Sequence, residues 1–207
     1  MHARITLLAP INDAVFQEFA KQHILLLRDG AKELTLVISS EGGKNHAGRQ
    51  FYSLLQASPL DVQTVAMGRV ESSAINALCA GKRRIGLPGT TYLIHDVDFT
   101  LNGSFTRAQM IEKVRIMEVD FARNVEIISV TTGKSAGVIS PMMSGAGTSM
   151  DNSAAAELGL LTEISASIPT ADFEILISQN GQGPVVVQDS RYQNQFSMPG
   201  GPMPSRK

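Results

Sequence analysis

Short apolar runs alternate with longer amphipathic ones through the first half of the chain. Ile5–Ala9 reads as a strand closed by Pro10, and Asn12 or Asp13 is placed to cap a helix carrying Val15, Phe16 and Phe19. Leu34–Ile38 is a continuous apolar run, as expected of a strand covered on both faces. It enters the loop Ser39-Ser40-Glu41-Gly42-Gly43, after which a helix is expected over His46–Ala57, stopped by Pro59. Val62–Met67 predicts a third strand ending at Gly68, and Ser73–Ala80 a short helix ending at Gly81. Arg84–Leu87 and Thr91–His95 read as strands on either side of Pro88-Gly89. Such strand–helix alternation predicts an α/β domain with a largely parallel sheet.

The period then lengthens. Thr106 and Gln109 form a T-x-x-Q capping box. Behind them Met110, Val114, Met117, Phe121, Val125 and Ile128 hold one face at spacings of three and four, predicting a long helix that ends near Gly133. This stripe reads as facing the core or a neighbouring subunit. A short helix follows over Asp151–Leu158, stopped by Gly159, then a strand over Leu160–Ile164. Beyond Ser165 the character shifts, and Phe173–Ile177 with Val185–Val187 suggest a hairpin around Asn180–Gly183. The expected organisation is an α/β domain over 1–164, an extension with a hairpin over 165–198, and a Pro- and Gly-rich disordered tail over 199–207.

Composition narrows the class. Of 207 residues 43% are hydrophobic, enough for a sizeable core, and only 18% are charged, which hints at surface buried against other subunits. Lys+Arg of 18 against Asp+Glu of 19 leaves no basic excess for nucleic acid. The one cysteine, Cys79, allows neither an intrachain disulfide nor a cysteine-rich metal site. No apolar stretch approaches a membrane span and the start lacks a signal-peptide layout, so a cytoplasmic protein without metal or cofactor is expected.

Three features invite chemistry. Gly42-Gly43 after a buried strand lets backbone N–H groups face a ligand, although a plain turn explains it too. Ser72 and Ser73 sit at a strand–helix junction, where a hydroxyl meets the positive end of a helix dipole, or merely caps it. His95 closes a strand, where a histidine is as readily structural.

Taken in order, strand–Gly-Gly, strand–Gly-x-x-x-Ser and strand–His resemble the Clp protease proteolytic subunit family, which shares the crotonase-like fold. The resemblance runs from about Ile5 to Ile164. It rests on Ala9-Pro10-Ile11-Asn12, Ile38–Gly43, Met67-Gly68, Ser72, Ala80–Arg83, Leu87-Pro88, Leu93-Ile94-His95, Thr132-Gly133 and Glu157–Leu160. It implies stacked βαβ units with a long handle helix. It also implies an endopeptidase acting on peptides or unfolded proteins, with Ser72 as nucleophile, His95 as general base and the Gly43 and Ser73 N–H groups as oxyanion donors. An extended substrate would lie along Gly42. Homo-oligomers, as rings or smaller assemblies, are implied, as is an ATP-dependent unfoldase partner. The upstream segment that packs near the family's ATPase-docking surface is expected to be missing, since the chain opens on the first core strand.

The family's aspartate falls on Ala146 or Gly147. Asp151 or Asn152 is the expected substitute, with Asp96 or Asp98 less favoured. Glu71 beside Ser72 either pairs with Arg69 or crowds the site. Two other readings fit the same residues: a non-catalytic subunit of this fold, and a crotonase-like enzyme acting on acyl-coenzyme A through backbone donors and a carboxylate such as Glu71.

Overall fold

Residues 1–188 are described by a computed structural model. In chain order the elements are β1 (His2–Leu8), α1 (Asp13–Arg28), β2 (Glu33–Ser40), α2 (Asn45–Gln56), β3 (Asp61–Glu71), α3 (Ala74–Leu78), β4 (Arg83–Gly86), β5 (Thr91–Ile94), α4 (Arg107–Thr132), α5 (Ala136–Met143), β6 (Thr148–Met150), α6 (Asn152–Leu158), β7 (Glu163–Ile164), β8 (Phe173–Asn180) and β9 (Gly183–Gln188). The tail expected over 199–207 lies outside the described residues.

The sheet runs β6-β5-β3-β2-β1-β8-β9. Pairing is parallel from β5 through β8, and the outermost pairs, β5·β6 and β8·β9, are antiparallel. The first half of β3 pairs with β4, which pairs with β7, and its last residues pair with β5 instead. This change of partner occurs at Gly68, which adopts φ +67° opposite a register shift in β2 between Ile38 and Ser40. The sequence suggested that β3 ends at Gly68. Glycine at a left-handed φ bends the strand without ending it, and pairing resumes beyond the irregularity to Glu71.

The helices cover one face of this sheet. Leu34, Leu36 and Ile38 of β2 are fully buried against it, while Val37, Val65 and Ile85 form a smaller cluster of their own. Phe19 and Phe51 stack with centroids 4.8 Å apart, and Phe16 meets Phe51 edge-on at 5.3 Å. Arg84 acts as a polar staple among these elements. Its guanidinium donates to the carbonyls of Gly81, Leu160 and Gly159, which lie just beyond the ends of α3 and α6. Cationic donors at helix C-termini satisfy carbonyls that the helix leaves unpaired.

Two buried groups give measurable consequences. Burial pushes the Cys79 thiol up to about 11, so little thiolate exists at pH 8. Iodoacetamide at that pH is expected to leave the folded protein unmodified and to alkylate it once urea unfolds it; rapid native alkylation would contradict the packing. His23 is 2% exposed and its ring faces Ser58 Oγ at 2.8 Å. Burial holds its pKa below the ordinary 6.5, so the unfolded chain takes up this proton first. The stability owed to the neutral ring is complete above 6.5 and is lost as pH falls through 6.5 toward the folded value. Urea midpoints at pH 7 and pH 5 should therefore fall further for the native sequence than for His23→Gln.

The long helix forms, and its stripe divides between core and surface. Its capping box forms, with Thr106 Oγ1 accepting from Gln109 N–H and Gln109 Oε1 accepting from Thr106 N–H, and Gly133 ends it at φ +71°. Its second half packs, through Phe121, Asn124, Val125, Ile127 and Ile128, while Met110, Ile111, Val114, Ile116 and Val119 remain exposed. The strand expected over Leu160–Ile164 shrinks to Glu163–Ile164, because Leu160 is held in the turn after α6 by a bond from its N–H to Ala155 O.

Candidate active site

At the end of β3 the backbone turns sharply into α3. Ser72 N–H still donates to Leu93 O of β5 at 2.8 Å, and Ser72 O already accepts from Ile75 N–H at 3.0 Å. Satisfying both forces Ser72 to φ +54°, the one positive φ outside glycine among the described residues. A left-handed serine costs about 1–2 kcal/mol. Strain of this kind concentrates where function needs it, and here it falls on the residue singled out for chemistry.

The glycine loop is clamped beside this turn. Ile11 N–H donates to Gly42 O at 2.8 Å and Lys44 N–H to Ile11 O at 2.7 Å, so the chain on either side of Gly43 is tied to Ile11. A Cβ on Gly42 would lie 2.6 Å from Glu71 O, 2.6 Å from Ser72 Cβ and 3.0 Å from Ser73 N. Only glycine lets the loop approach Ser72 and Ser73 this closely. The Gly43 and Ser73 N–H groups have no hydrogen-bond partner among the described residues. Two open grooves of about 580 and 500 Å3 flank the loop. The first is lined by Leu8, Ser39, Gly42 and Arg69, the second by Ile11, Asn45, Asp98 and Phe99, and Gly43 borders both.

His95 follows the last residue of β5 and is half-buried. It lines one small cavity together with Ser72, although no hydrogen bond joins the two side chains. Beside it runs the segment 144–152, onto which the family's aspartate is expected to fall. Gly147 adopts φ +77°, and a Cβ there would lie 2.3 Å from Ile94 O and 2.5 Å from His95 Cβ. The backbone of Gly147 is therefore packed directly against His95.

The proposed substitutes are not brought to His95. Asp151 caps α6, accepting from Ala154 N–H at 2.9 Å. Asn152 accepts from the Tyr92 hydroxyl at 2.8 Å and donates to Leu87 O at 2.8 Å. Neither lines the cavity of Ser72 and His95. Asp96 accepts from the N–H of Val97 at 2.7 Å, and Asp98 lines the second groove. Glu71 pairs with Arg69 at 3.2 Å, and Arg69 also reaches Glu41 at 2.5 Å, so the bulky carboxylate turns into a surface ion pair.

Sequence reasoning missed three asparagines, Asn45, Asn76 and Asn124, that line the same cavity. Asn76 and Asn124 lie in otherwise apolar helix faces, and a buried amide there was the available signal. Among the described residues no three His, Cys, Asp or Glu side chains converge as metal ligands would.

A family model described as Clp protease matches residues 1–167. The ATP-dependent Clp protease proteolytic subunit 2 of Mycobacterium bovis is 32% identical over 139 residues, 62% of each chain. The subunit of the same name from Thermobifida fusca is 33% identical over 97 residues, 45% of this chain and 48% of that one. The chain thus spans 62% of the length of the mycobacterial relative. Among solved structures, a ClpP1 mutant from Listeria monocytogenes superposes with a TM-score of 0.66 at 24% identity, covering 79% of this chain and 91% of that one.

Proposed function

The chain belongs to the Clp protease family, and on that premise we propose that it is a serine endopeptidase working through Ser72 and His95 without a carboxylate at the third position. The observation that carries this reading is the strained φ of Ser72 at a turn sharing a cavity with His95. His95 takes the hydroxyl proton as Ser72 Oγ adds to the peptide carbonyl. The oxyanion forms toward the unpaired N–H groups of Gly43 and Ser73, His95 returns the proton to the leaving amine, and water then releases the acyl chain by the same steps. Extended substrate would lie in the grooves beside Gly42-Gly43. Cleavage is slow, because no acid holds the imidazole tautomer, and loss of that acid costs about 10⁴ in kcat.

Exposed apolar residues along the first half of α4 support assembly with further copies of this chain into a ring or smaller oligomer. The mycobacterial relative's name describes an ATP-dependent protease, and on this reading an ATP-driven unfoldase is the partner class and unfolded protein the substrate. In the described part no helix is long and apolar enough to cross a membrane.

A fluorophosphonate probe tests the nucleophile. Intact mass spectrometry should show one adduct on the native sequence and none on Ser72→Ala. The glycine packed against His95 favours a second reading, a non-catalytic subunit of the assembly. A folded protein that takes no label establishes that reading instead.

A further inference from the structure

One guanidinium joins the two segments that carry the oxyanion donors. Arg69 Nη1 donates to Glu41 Oε1 at 2.5 Å, and Arg69 Nε lies 3.2 Å from Glu71 Oε1. Glu41 stands two residues before Gly43, and Glu71 two residues before Ser73. The course of β3 explains the meeting. Ile38 pairs with Ala66 and Ser40 with Val70, so β2 advances two residues while β3 advances four. The surplus is taken up around Gly68, which leaves Arg69 on the rim of the groove that borders Gly42 and Gly43. Residues 69 and 71 share a strand face, so Glu71 comes beside the guanidinium. The same irregularity loosens the glycine loop. Past Ser40 no residue of β2 pairs with β3, and the backbone bonds to Ile11 hold the loop from its far side. Among the described residues no other side-chain hydrogen bond or ion pair joins residues 39–43 to residues 68–73.

The geometry points to Arg69 as a positioning residue, which sets the Gly43 N–H against the Ser73 N–H by holding Glu41 and Glu71 on one guanidinium. This rests on Ser72 as the nucleophile and on those two N–H groups as the oxyanion donors. Two donors serve one oxyanion only when their separation is fixed beforehand, because a loop that drifts loses one of the two bonds. A guanidinium suits the task. Its planar fork reaches two carboxylates from separate nitrogens, whereas an ammonium is a point charge on a flexible stem. Glu71 is mostly buried and makes the firm end of this strap. Glu41 is exposed, so its end is the one that salt and substitution should loosen.

The test is turnover of a fluorogenic peptide by the full chain, beside fluorophosphonate titration of Ser72 in the same preparation. Arg69→Gln should lower kcat about fivefold, the upper end for ion pairs this exposed, while KM moves by less than about twofold and the thermal midpoint holds. Arg69→Lys should recover part of that loss. Glu41→Gln should lower kcat less, and should add nothing to Arg69→Gln. Sodium chloride at about 1 M should slow the native sequence and leave Arg69→Gln unmoved. Lys82→Gln breaks an exposed pair with Asp61 at the far end of β3, and should change neither constant. An unchanged kcat in folded Arg69→Gln overturns the proposal. So does a loss confined to KM, which would make Arg69 a substrate contact. Recovery of kcat on adding Glu41→Gln overturns it too, because Arg69 would then merely cancel charge. Each of these failures leaves Ser72 labelling, and the peptidase with it, intact. A folded protein that neither labels nor cleaves overturns both.

Discussion

Ser72→Ala should reduce peptide hydrolysis about a hundredfold, to background, while leaving the thermal midpoint nearly unchanged. The size follows from what has already been lost. Removing the nucleophile from a complete triad costs about 10⁶ in kcat, but removing its acid alone costs about 10⁴. On the proposed reading the family's aspartate falls on Ala146 or Gly147, so only the remaining factor is left to lose. Stability is expected to hold because alanine removes no hydrogen bond that the serine side chain makes, and the strained φ of 54° persists in either residue. Turnover on a fluorogenic peptide, beside a melting curve, decides it. Undiminished hydrolysis by a clean Ser72→Ala preparation removes Ser72 from the mechanism. A larger fall, toward a millionfold, means that some acceptor supports His95 after all.

Gly147→Ala should be strongly destabilising, as a methyl added at Gly42 or Gly43 would be. The residue adopts φ +77°, which an L side chain enters at about 1–2 kcal/mol. The new Cβ would also sit 2.3 Å from Ile94 O, a backbone atom in the strand that carries His95, and overpacking of this kind adds about 1–3 kcal/mol. Gly145→Ala is the control, because it has φ +64° and nothing within 4 Å of the added carbon. The difference between the two variants in urea unfolding isolates the overlap, and equal losses would show that β5 yields freely. The same contact explains why an aspartate at 147 would not rebuild a triad, since its side chain would have to displace Ile94 before reaching His95.

Elements written by local chemistry were legible in the sequence. The cap at Asn12, the box at Thr106 and Gln109 and the glycine ends at 133 and 159 each need only a few neighbouring residues, and all formed. What depends on distant partners was not legible. β6 is three residues long and exists through its antiparallel pairing with β5. α5 contains Pro141, which argues against a helix locally, although the turns on either side of it persist. The order Gly-Gly, Ser, His anticipated which loops would converge. That Asn45, Asn76 and Asn124 would meet at one cavity was not legible, because each sits on a different helix and only the amide in an apolar helix face marked Asn76 and Asn124. Asp151 and Asn152 misled for the opposite reason: their position near the missing acid was apparent, but not that capping and the Tyr92 hydroxyl already occupied them.

The place of β8 in the sheet has a consequence for the ribosome. β1 is made first and finds β2 within a few tens of residues, yet its other edge pairs with β8, Ala3 lying opposite Phe173. At roughly 5–20 residues per second that edge waits about ten to thirty seconds for its neighbour to be synthesised. During this interval the open N–H and C=O groups of His2–Leu8 are a template for pairing with other nascent chains. Translation truncated before Phe173 should therefore yield aggregates in proportion to polysome density, and supplying the hairpin late, as a separate peptide, should not recover them.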